Sequence, residues 1–305
     1  VTRGTQAWLW EPFVTDQHGL YEIQRNLYKN ISGTALIFEE INLSLQLKVC
    51  YSWRTSEKFG FVKTTRIQNL GTSNTDCCIE LLDGLQNILP AHIAYSTQNN
   101  FSCLLDAYKR SELDVETGLG IFTLNSTLTD LAEPSESLLA TTVFQVGLAQ
   151  VAHLLSSAQL EGFRSGKDIK PEADIRGRRG AYFVHKKINL HPGEEAAWYI
   201  VADTHQDAAD VVALRHTLRK NPIELCQEIE KDIQSNASQL HCIVASADGL
   251  QVSGDILRTS HHYTNVLFNL MRGGIFADQY WIDTADFKDY VSTHLRKTLE
   301  MHADF

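Results

Sequence analysis

The amino-acid sequence predicts a mainly β protein, with an antiparallel β-sandwich over residues 1–205 and a group of helices over residues 206–305. Before residue 205, apolar side chains recur at every second position, as on a strand with one buried face. After it, they recur at every third or fourth position, as on an amphipathic helix. Turn residues also separate the alternating segments at short intervals, with no long helix between them, which is typical of a sandwich.

The clearest predicted strand covers residues 43–53, where leucine, valine, tyrosine and tryptophan alternate with mostly polar residues. Further strands are predicted at residues 59–69, 75–82, 181–190 and 196–202. Asp83-Gly84 is interpreted as the turn that ends the third strand, and His191-Pro-Gly-Glu194 as a hairpin turn between the last two. Residues 106–140 are polar and rich in turn residues, so a loop excursion with short strands is predicted there.

Three helices are predicted in the second region. The first has Asn221 at its N-cap and Pro222 at its first position, and it stops before Gly249. Its apolar stripe consists of Cys226, Ile229, Ile233, Ala237, Leu240 and Val244. The second helix is predicted from residue 261 to residue 271, and the third begins at Thr284. Each helix with a single apolar stripe must bury that stripe on something, either on the sandwich or on a further domain.

The formal net charge of the 305-residue chain is −10, which argues against nucleic-acid and anionic-membrane partners because both require a basic face. No apolar run approaches the ~18 residues of a membrane-spanning helix. The N-terminus lacks the pattern of a signal peptide, and six scattered cysteines fit a reducing compartment. A cytoplasmic location is therefore predicted.

Motifs for catalysis, metal binding or cofactor binding are absent from the sequence. The histidines do not show metal-ligand spacing, and Gly118-Leu-Gly120 lacks the third glycine of a dinucleotide fingerprint. Carboxylate pairs occur at Glu39-Glu40, Glu194-Glu195 and Asp207/Asp210, but a glycosidase needs two carboxyl groups opposed across a sugar. Solvated turns and helix starts explain these pairs more simply. No catalytic residue, metal ligand or cofactor is assigned.

Two groups of residues are candidates for binding. Aromatic rings beside polar groups can stack on sugar faces, and the candidates for carbohydrate contact are Trp53, Arg54, Tyr280 and Trp281. Three guanidinium groups in a glycine-containing loop could clamp an anion, and these candidates are Arg176, Arg178 and Arg179. The simpler alternatives are core aromatics in the first case and a basic surface loop in the second.

One stretch carries a resemblance to a known family. Residues 51–71 read YSWRTSEKFGFVKTTRIQNLG and are followed by CCIELLDG at residues 77–84. Both resemble the amino-terminal sandwich of the inverting glycoside phosphorylases, the cellobiose-phosphorylase-like group. Further pattern-level matches are HPGE at 191–194, YIVAD at 199–203, the helical run 225–250 and HYTNVLFNL at 262–270.

The resemblance implies a galactose-mutarotase-like supersandwich, then linker helices, then an (α/α)6 barrel that carries the general acid and most phosphate-binding groups. About 100 residues follow residue 205, too few at ~1.5 Å rise each for twelve barrel helices, so the barrel is expected to be missing here. The chain is then expected to be a non-catalytic module that shapes the active-site rim, supports the barrel and forms a homodimer contact. The parent enzyme would use inorganic phosphate as co-substrate to cleave β-linked glucan oligosaccharides.

Two alternatives stay open at this stage. A stand-alone carbohydrate-binding module would use the same aromatic residues and the arginine loop. A mutarotase-like epimerase would need a histidine acid and a glutamate base, and His261-His262-Tyr263 with Asn269-Leu270 resembles the histidine segment of those enzymes. The predicted helix at that segment disfavours the epimerase, whose histidine lies on the sandwich.

Overall fold

The computed structural model describes residues 1–15, 19–72, 76–126, 137–274 and 281–295. The strands in these ranges are β1 Thr2–Arg3, β2 Gln6–Ala7, β3 Ile23–Lys29, β4 Ala35–Asn42, β5 Leu47–Ser56, β6 Gly60–Asn69, β7 Cys77–Ile88, β8 Lys109–Asp114, β9 Leu119–Leu124, β10 Ala140–Val146, β11 Ala152–Leu154, β12 Asp174–Arg176, β13 Gly180–Leu190 and β14 Glu195–Gln206. The helices are α1 Tyr95–Asn100, α2 Ser102–Ala107, α3 Leu160–Arg164, α4 Ala208–Leu218, α5 Pro222–Ser246, α6 Ile256–Gly273 and α7 Thr284–His294.

The strands form two antiparallel sheets, which confirms the mainly β fold that the sequence predicts. The five-stranded sheet has the order β11-β13-β7-β1-β2, and the nine-stranded sheet has the order β12-β8-β9-β10-β14-β6-β5-β4-β3. Both sheets contribute to one apolar core, for example through Val49 and Ile67 from the larger sheet and Ile79 and Val184 from the smaller one. The alternation of apolar residues exists because each of these strands turns one face to this core.

The second face of the nine-stranded sheet is covered by helices. Val62, Phe144 and Val201 project to this side and pack with Leu225 and Ile229 of α5. α5 begins as the sequence predicts, since the Asn221 side chain accepts a hydrogen bond from the Ile223 amide at 2.9 Å. Its predicted apolar stripe is therefore buried against the sheet in the first half of the helix.

The chain divides into two compact units, residues 1–236 and residues 237–305. The second unit contains the end of α5 together with α6 and α7, and Val244, Tyr263 and Val291 are buried in it. Throughout the described ranges, no helix has both the length and the apolar character needed to cross a membrane.

The turn predicted at Asp83-Gly84 is wrong, because both residues lie inside β7 and pair with β13. Only glycine fits at position 84, because a Cβ atom would overlap the carbonyl oxygen of Tyr182 and the Phe183 ring. Asp83 is retained in a strand because Lys63, Thr65 and Trp198 bind its carboxylate. A dipeptide typical of turns therefore marks a close approach between two strands.

The hairpin predicted at residues 191–194 is also wrong, although the turn itself forms. The Glu194 amide donates to the His191 carbonyl at 3.0 Å, and Gly193 has φ +80°. However, β13 pairs with β7 and β11 in the smaller sheet, whereas β14 pairs with β6 and β10 in the larger one. The turn thus carries the chain from one sheet to the other.

Other predicted boundaries shift by a few residues. The strand predicted from Leu43 begins at Leu47, because the Asn42 side chain accepts the Leu45 amide at 2.9 Å and closes a turn. The second predicted helix begins at Ile256 instead of residue 261, since Asp255 accepts the amides of Leu257 and Arg258. The third begins at Thr284 as predicted. The short helix α4 was not predicted.

Candidate functional site

Aromatic side chains cluster on the face of the nine-stranded sheet that also packs against the smaller sheet. Tyr51 and Trp53 lie two residues apart on β5 and so share this face, and Phe38 is the register partner of Tyr51 on β4. The Phe38 and Tyr51 rings are stacked with their centroids 4.8 Å apart, and Phe13 meets Tyr51 edge-on at 5.0 Å. We call Phe13, Phe38, Tyr51 and Trp53 the aromatic strip.

The aromatic strip is half-buried, and two of its hydrogen-bond donors have no partner among the described residues. All four side chains are partly accessible to solvent. Among the described residues, the Tyr51 hydroxyl and the Trp53 indole nitrogen have no hydrogen-bond partner in the protein. Neither atom is among the buried polar atoms that lack a partner. Burial raises the pKa of the Tyr51 hydroxyl, with the nearby Asp83 carboxylate adding to the effect. The phenol therefore stays protonated and can donate a hydrogen bond at neutral pH.

A partly buried ion pair borders the aromatic strip. Lys63, the register partner of Trp53, donates to Asp83, and its ammonium lies 5.5 Å from the centre of the Tyr51 ring. The second carboxylate oxygen of Asp83 accepts from Thr65 at 3.0 Å and from the Trp198 indole at 2.8 Å. Because Asp83 is so fully engaged, this pair fixes the strip in place and is poorly suited to binding a ligand itself.

A second buried carboxylate places Phe13. The side chain of Glu40 is fully buried and accepts from the Trp10 indole at 2.8 Å and from the Phe13 amide at 2.7 Å. Arg25 neutralises it through an Nε–Oε2 contact of 2.7 Å. Glu40 thereby holds residues 10–13 against the sheet. Glu40, the second of the two neighbouring carboxylates Glu39 and Glu40, is therefore engaged in an ion pair with Arg25.

Arg54 lies on the opposite face of β5 from Trp53, so the structure does not bring these two predicted residues together. Its two terminal nitrogens donate to the two carboxylate oxygens of Glu230 on α5, at 2.7 and 2.6 Å. The Tyr199 hydroxyl also donates to Glu230, at 2.9 Å. The Arg54 hydrogen bonds hold the pKa of Glu230 below its ordinary value, and burial with the Glu230 contact raises the pKa of Tyr199 to about 12.

The arginine loop is partly neutralised by its own neighbours. Arg176 contacts Asp174 at 3.1 Å, and Arg179 contacts Asp106 at 3.3 Å. Arg178 is exposed and makes no ion pair with any residue in the described ranges. The three guanidinium groups predicted to clamp an anion therefore offer one uncommitted cation.

The remaining predicted residues belong to the second compact unit or fall outside the description. Trp281 precedes α7 and its side chain is 84% exposed. Tyr280 lies outside the described residues. His261 and His262 lie on α6, where His262 Nε2 is 2.9 Å from the Asp248 carbonyl oxygen. Their helical position is the one that the sequence predicts.

The Asp207/Asp210 carboxylate pair forms a capping box at the start of α4. The Asp207 side chain accepts the Asp210 amide at 2.9 Å, and the Asp210 side chain accepts the Asp207 amide at 3.1 Å. Both carboxylates therefore stabilise a helix end, in agreement with the simpler of the two interpretations.

The sequence analysis singled out Trp53 but missed the contribution of Phe13 and Phe38. Alternation alone places Tyr51 beside Trp53 on β5. The position of Phe38 depends on the β4–β5 register, and that of Phe13 depends on its backbone contact with Glu40. Only the first of these relationships has a signal in the sequence.

Comparison with known proteins gives a limited result. No family model matches the chain, and no curated protein matches it. Among solved structures, it is similar to a protein described as a kojibiose phosphorylase from the human microbiome, with 11% identity, a TM-score of 0.46, and coverage of 82% of this chain and 29% of that chain. A bacterial glucoamylase complexed with acarbose has 8% identity, a TM-score of 0.39 and coverage of 71% and 29%.

A family GH92 α-mannosidase from Bacteroides thetaiotaomicron shows 9% identity and a TM-score of 0.30, over 87% of this chain and 30% of that chain. The chain thus spans less than a third of the length of each of these three proteins.

Proposed function

We propose that this chain is a non-catalytic, carbohydrate-associated module of a glycoside phosphorylase. The observation that carries the carbohydrate part is the aromatic strip, in which half-buried rings lie beside two hydrogen-bond donors without a protein partner in the described ranges. The phosphorylase part is supported by the sequence resemblance at residues 51–71 and by the two-sheet fold in which that segment forms β5 and β6.

The chemistry of the strip suits a neutral sugar chain. The C–H-rich face of a pyranose buries apolar area against an indole or phenol ring, while its hydroxyl groups accept hydrogen bonds from the ring substituents. Trp53 and Tyr51 provide both functions on one strand. A site of this kind binds without chemistry, since Asp83 and Glu40, the carboxylates that border the strip, are held in ion pairs.

Binding to the strip is testable with β-linked glucan oligosaccharides by calorimetric titration. We expect affinity near 1 mM, and Trp53→Ala should weaken it by about tenfold because ring stacking contributes on the order of 1 kcal/mol. Tyr51→Phe, which keeps the ring and removes one donor, should have a smaller effect. Tyr95→Ala removes an exposed aromatic ring elsewhere in the same unit and should leave affinity unchanged. Saturable binding that survives Trp53→Ala would contradict the assignment.

The second part of the proposal concerns support of a helical barrel. α6 and α7 carry large apolar side chains that remain exposed, including Leu257 at 77%, Met271 at 72%, and Phe268 and Tyr290 at 58% each. Apolar exposure on this scale is typical of an interaction surface. We infer that these helices contact the catalytic barrel, where phosphate attacks the anomeric carbon and a carboxylic acid protonates the leaving oxygen.

The full-length parent enzyme tests the reaction. We expect it to release sugar 1-phosphate from β-linked glucan oligosaccharides only when inorganic phosphate is present. Phe268→Ser should lower the stability of that enzyme by weakening the helix–barrel contact, whereas Val115→Ser, at an exposed position in the sandwich unit, should not. Cleavage by water alone would exclude the phosphorylase. Oligosaccharide binding without any cleavage would favour the stand-alone binding module.

A further inference from the structure

A small cavity near the N-terminus is lined by aromatic rings and by an arginine that forms no ion pair with any described residue. Its volume is about 310 Å³, and the described residues that line it are Arg3, Trp8, Leu20, Tyr21, Ser44 and Leu45. It lies in the first compact unit. Arg3 is on β1, and none of these residues belongs to the aromatic strip. The volume is at the lower end of the range for small-molecule sites, which suits a ligand the size of one sugar ring.

Arg3 is held in place by hydrogen bonds to neutral oxygens. Its Nη2 donates to the Leu45 carbonyl and to Asn69 Oδ1, both at 2.9 Å. Among the described residues no carboxylate forms an ion pair with it, and its buried Nε has no hydrogen-bond partner. The hydrogen bonds of Nη2 therefore go to neutral oxygens, and a carboxylate in the cavity would supply the negative charge that the described surroundings of Arg3 lack.

The rest of the cavity suits the body of a sugar. Trp8 and Tyr21 are half-buried, and the Tyr21 hydroxyl is anchored to the Leu9 carbonyl at 2.5 Å, which holds that ring in position. The Ser44 hydroxyl accepts the Glu22 amide at 2.9 Å and keeps its own proton available for donation. Leu20 and Leu45 add apolar surface. An indole, a phenol ring and a hydroxyl together match a pyranose with one apolar face.

We infer that this cavity binds a single sugar ring that carries a carboxylate, such as a hexuronate, with the carboxylate on Arg3 and the ring against Trp8 and Tyr21. A carboxylate is favoured over a phosphate because a phosphate dianion usually collects several cations or amide donors, and the described lining supplies one guanidinium. The inference goes beyond the proposed function, since it concerns a different surface and an acidic ligand.

The test compares glucuronate with glucuronamide, which has the same shape without the charge, by calorimetric titration of the whole chain. We expect glucuronate to bind about tenfold more tightly, as a charge-assisted hydrogen bond predicts. Arg3→Gln should reduce that ratio to about one. Trp8→Ala should lower the affinity for both ligands by a similar factor. This second variant keeps the test decisive if Arg3→Gln fails to fold because it loses the Asn69 contact.

Two controls separate this cavity from other sites. Arg178→Gln removes an exposed arginine without touching the cavity and should leave the ratio unchanged. Trp53→Ala should also leave it unchanged, so failure of the aromatic strip and failure of this inference are distinguishable. Any of four results would overturn the assignment. Two concern charge: equal affinity for the two ligands, or an undiminished affinity ratio in Arg3→Gln. The others are no effect of Trp8→Ala on either ligand, and tighter binding of inorganic phosphate than of glucuronate.

Discussion

Gly84 lies at a close approach between β7 and β13. Its Cα faces the backbone of Tyr182 and Phe183 so closely that any side chain must displace a backbone, and backbone in a central strand pair cannot move independently. The glycine is therefore needed for packing, and its φ is not among the positive values of the chain.

Gly84→Ala is expected to lower the free energy of unfolding by about 3 kcal/mol, at the upper end of the usual cost of overpacking. Urea denaturation followed by tryptophan fluorescence measures it. Gly162→Ala is the matched control, because a Cβ there would make only ordinary contacts, 3.7 Å from Lys167, on helix α3. That control should be neutral or slightly stabilising. Equal destabilisation by the two substitutions would show that Gly84 is not specially packed.

Single residues also show where sequence reasoning fails. Asp83-Gly84 is a typical turn dipeptide, and nothing local distinguishes it from a turn. Its place in a strand depends on Lys63 and on Tyr182, which are distant in sequence. The propensity of the dipeptide is overridden by tertiary contacts that a single sequence does not reveal.

At the scale of one element, α5 has an apolar stripe that the sequence predicts and polar contacts with the sheet that it does not predict. Its N-cap and its apolar stripe follow from local chemistry and periodicity. Carboxylates on both sides of this stripe reach the β5–β6 hairpin: Glu230 binds Arg54, Asp232 binds Ser56, and Glu228 binds Lys58. These partners lie roughly 170 residues apart in the chain, so no sequence period points to them.

Glu230→Gln should reduce stability near neutral pH by about 1 kcal/mol, because the partly screened pair with Arg54 loses its charge. The pKa of Glu230 is lowered in the folded chain, so its contribution is present above the ordinary glutamate pKa of about 4.5 and is lost as the pH falls through the lowered value. The difference between the two proteins should therefore shrink below pH ~4.5, as measured by urea denaturation across pH.

The exposed Glu57 supplies the control for this element. Glu57→Gln changes the same functional group in the same hairpin and should leave stability unchanged at both ends of the pH range. A Glu230→Gln deficit that stays constant down to pH ~3 would indicate lost packing and not a lost ion pair.

For the whole molecule, Asn69 connects the end of β6 to the turn at residues 191–194, where the chain passes from the smaller sheet to the larger one. Its amide donates to the Glu194 carbonyl at 3.0 Å, and its carbonyl accepts from Gly193 at 2.8 Å. Its side chain donates to the Leu190 carbonyl at 3.0 Å and accepts from Arg3 and Gly71. Asn69 is fully buried, so each of these bonds replaces one that water would otherwise make.

Asn69→Ala is expected to destabilise the sandwich by about 3 kcal/mol, because it leaves the Leu190 carbonyl and the Gly71 amide without their partner. Thermal denaturation by circular dichroism measures the shift. Asn189→Ala, at an exposed asparagine in β13, controls for removal of an amide side chain and should have a smaller effect. A loss of stability no greater than that of the control would mean that the turn at residues 191–194 does not depend on the Asn69 side chain.

Across the molecule, the sequence predicts which segments are strands far better than it predicts how they pair. Alternation finds β6, β13 and β14 because successive side chains on a strand point to opposite faces, which is a local property. Sheet membership depends on partners, and the predicted hairpin at residues 191–194 failed for that reason. Trp53 was predicted as a site residue from its type, whereas the strip around it required the register of β4 and the pinning of Phe13 by Glu40.

The crossovers between the sheets also have a consequence for biosynthesis. The longest ladder of the smaller sheet pairs Cys77 with Leu190 and Ile88 with Gly180, so β7 must wait for roughly a hundred further residues before its partner leaves the ribosome. β6 waits similarly for β14. During that interval two long strands each have an unpaired edge, and unpaired strand edges in a nascent chain promote aggregation.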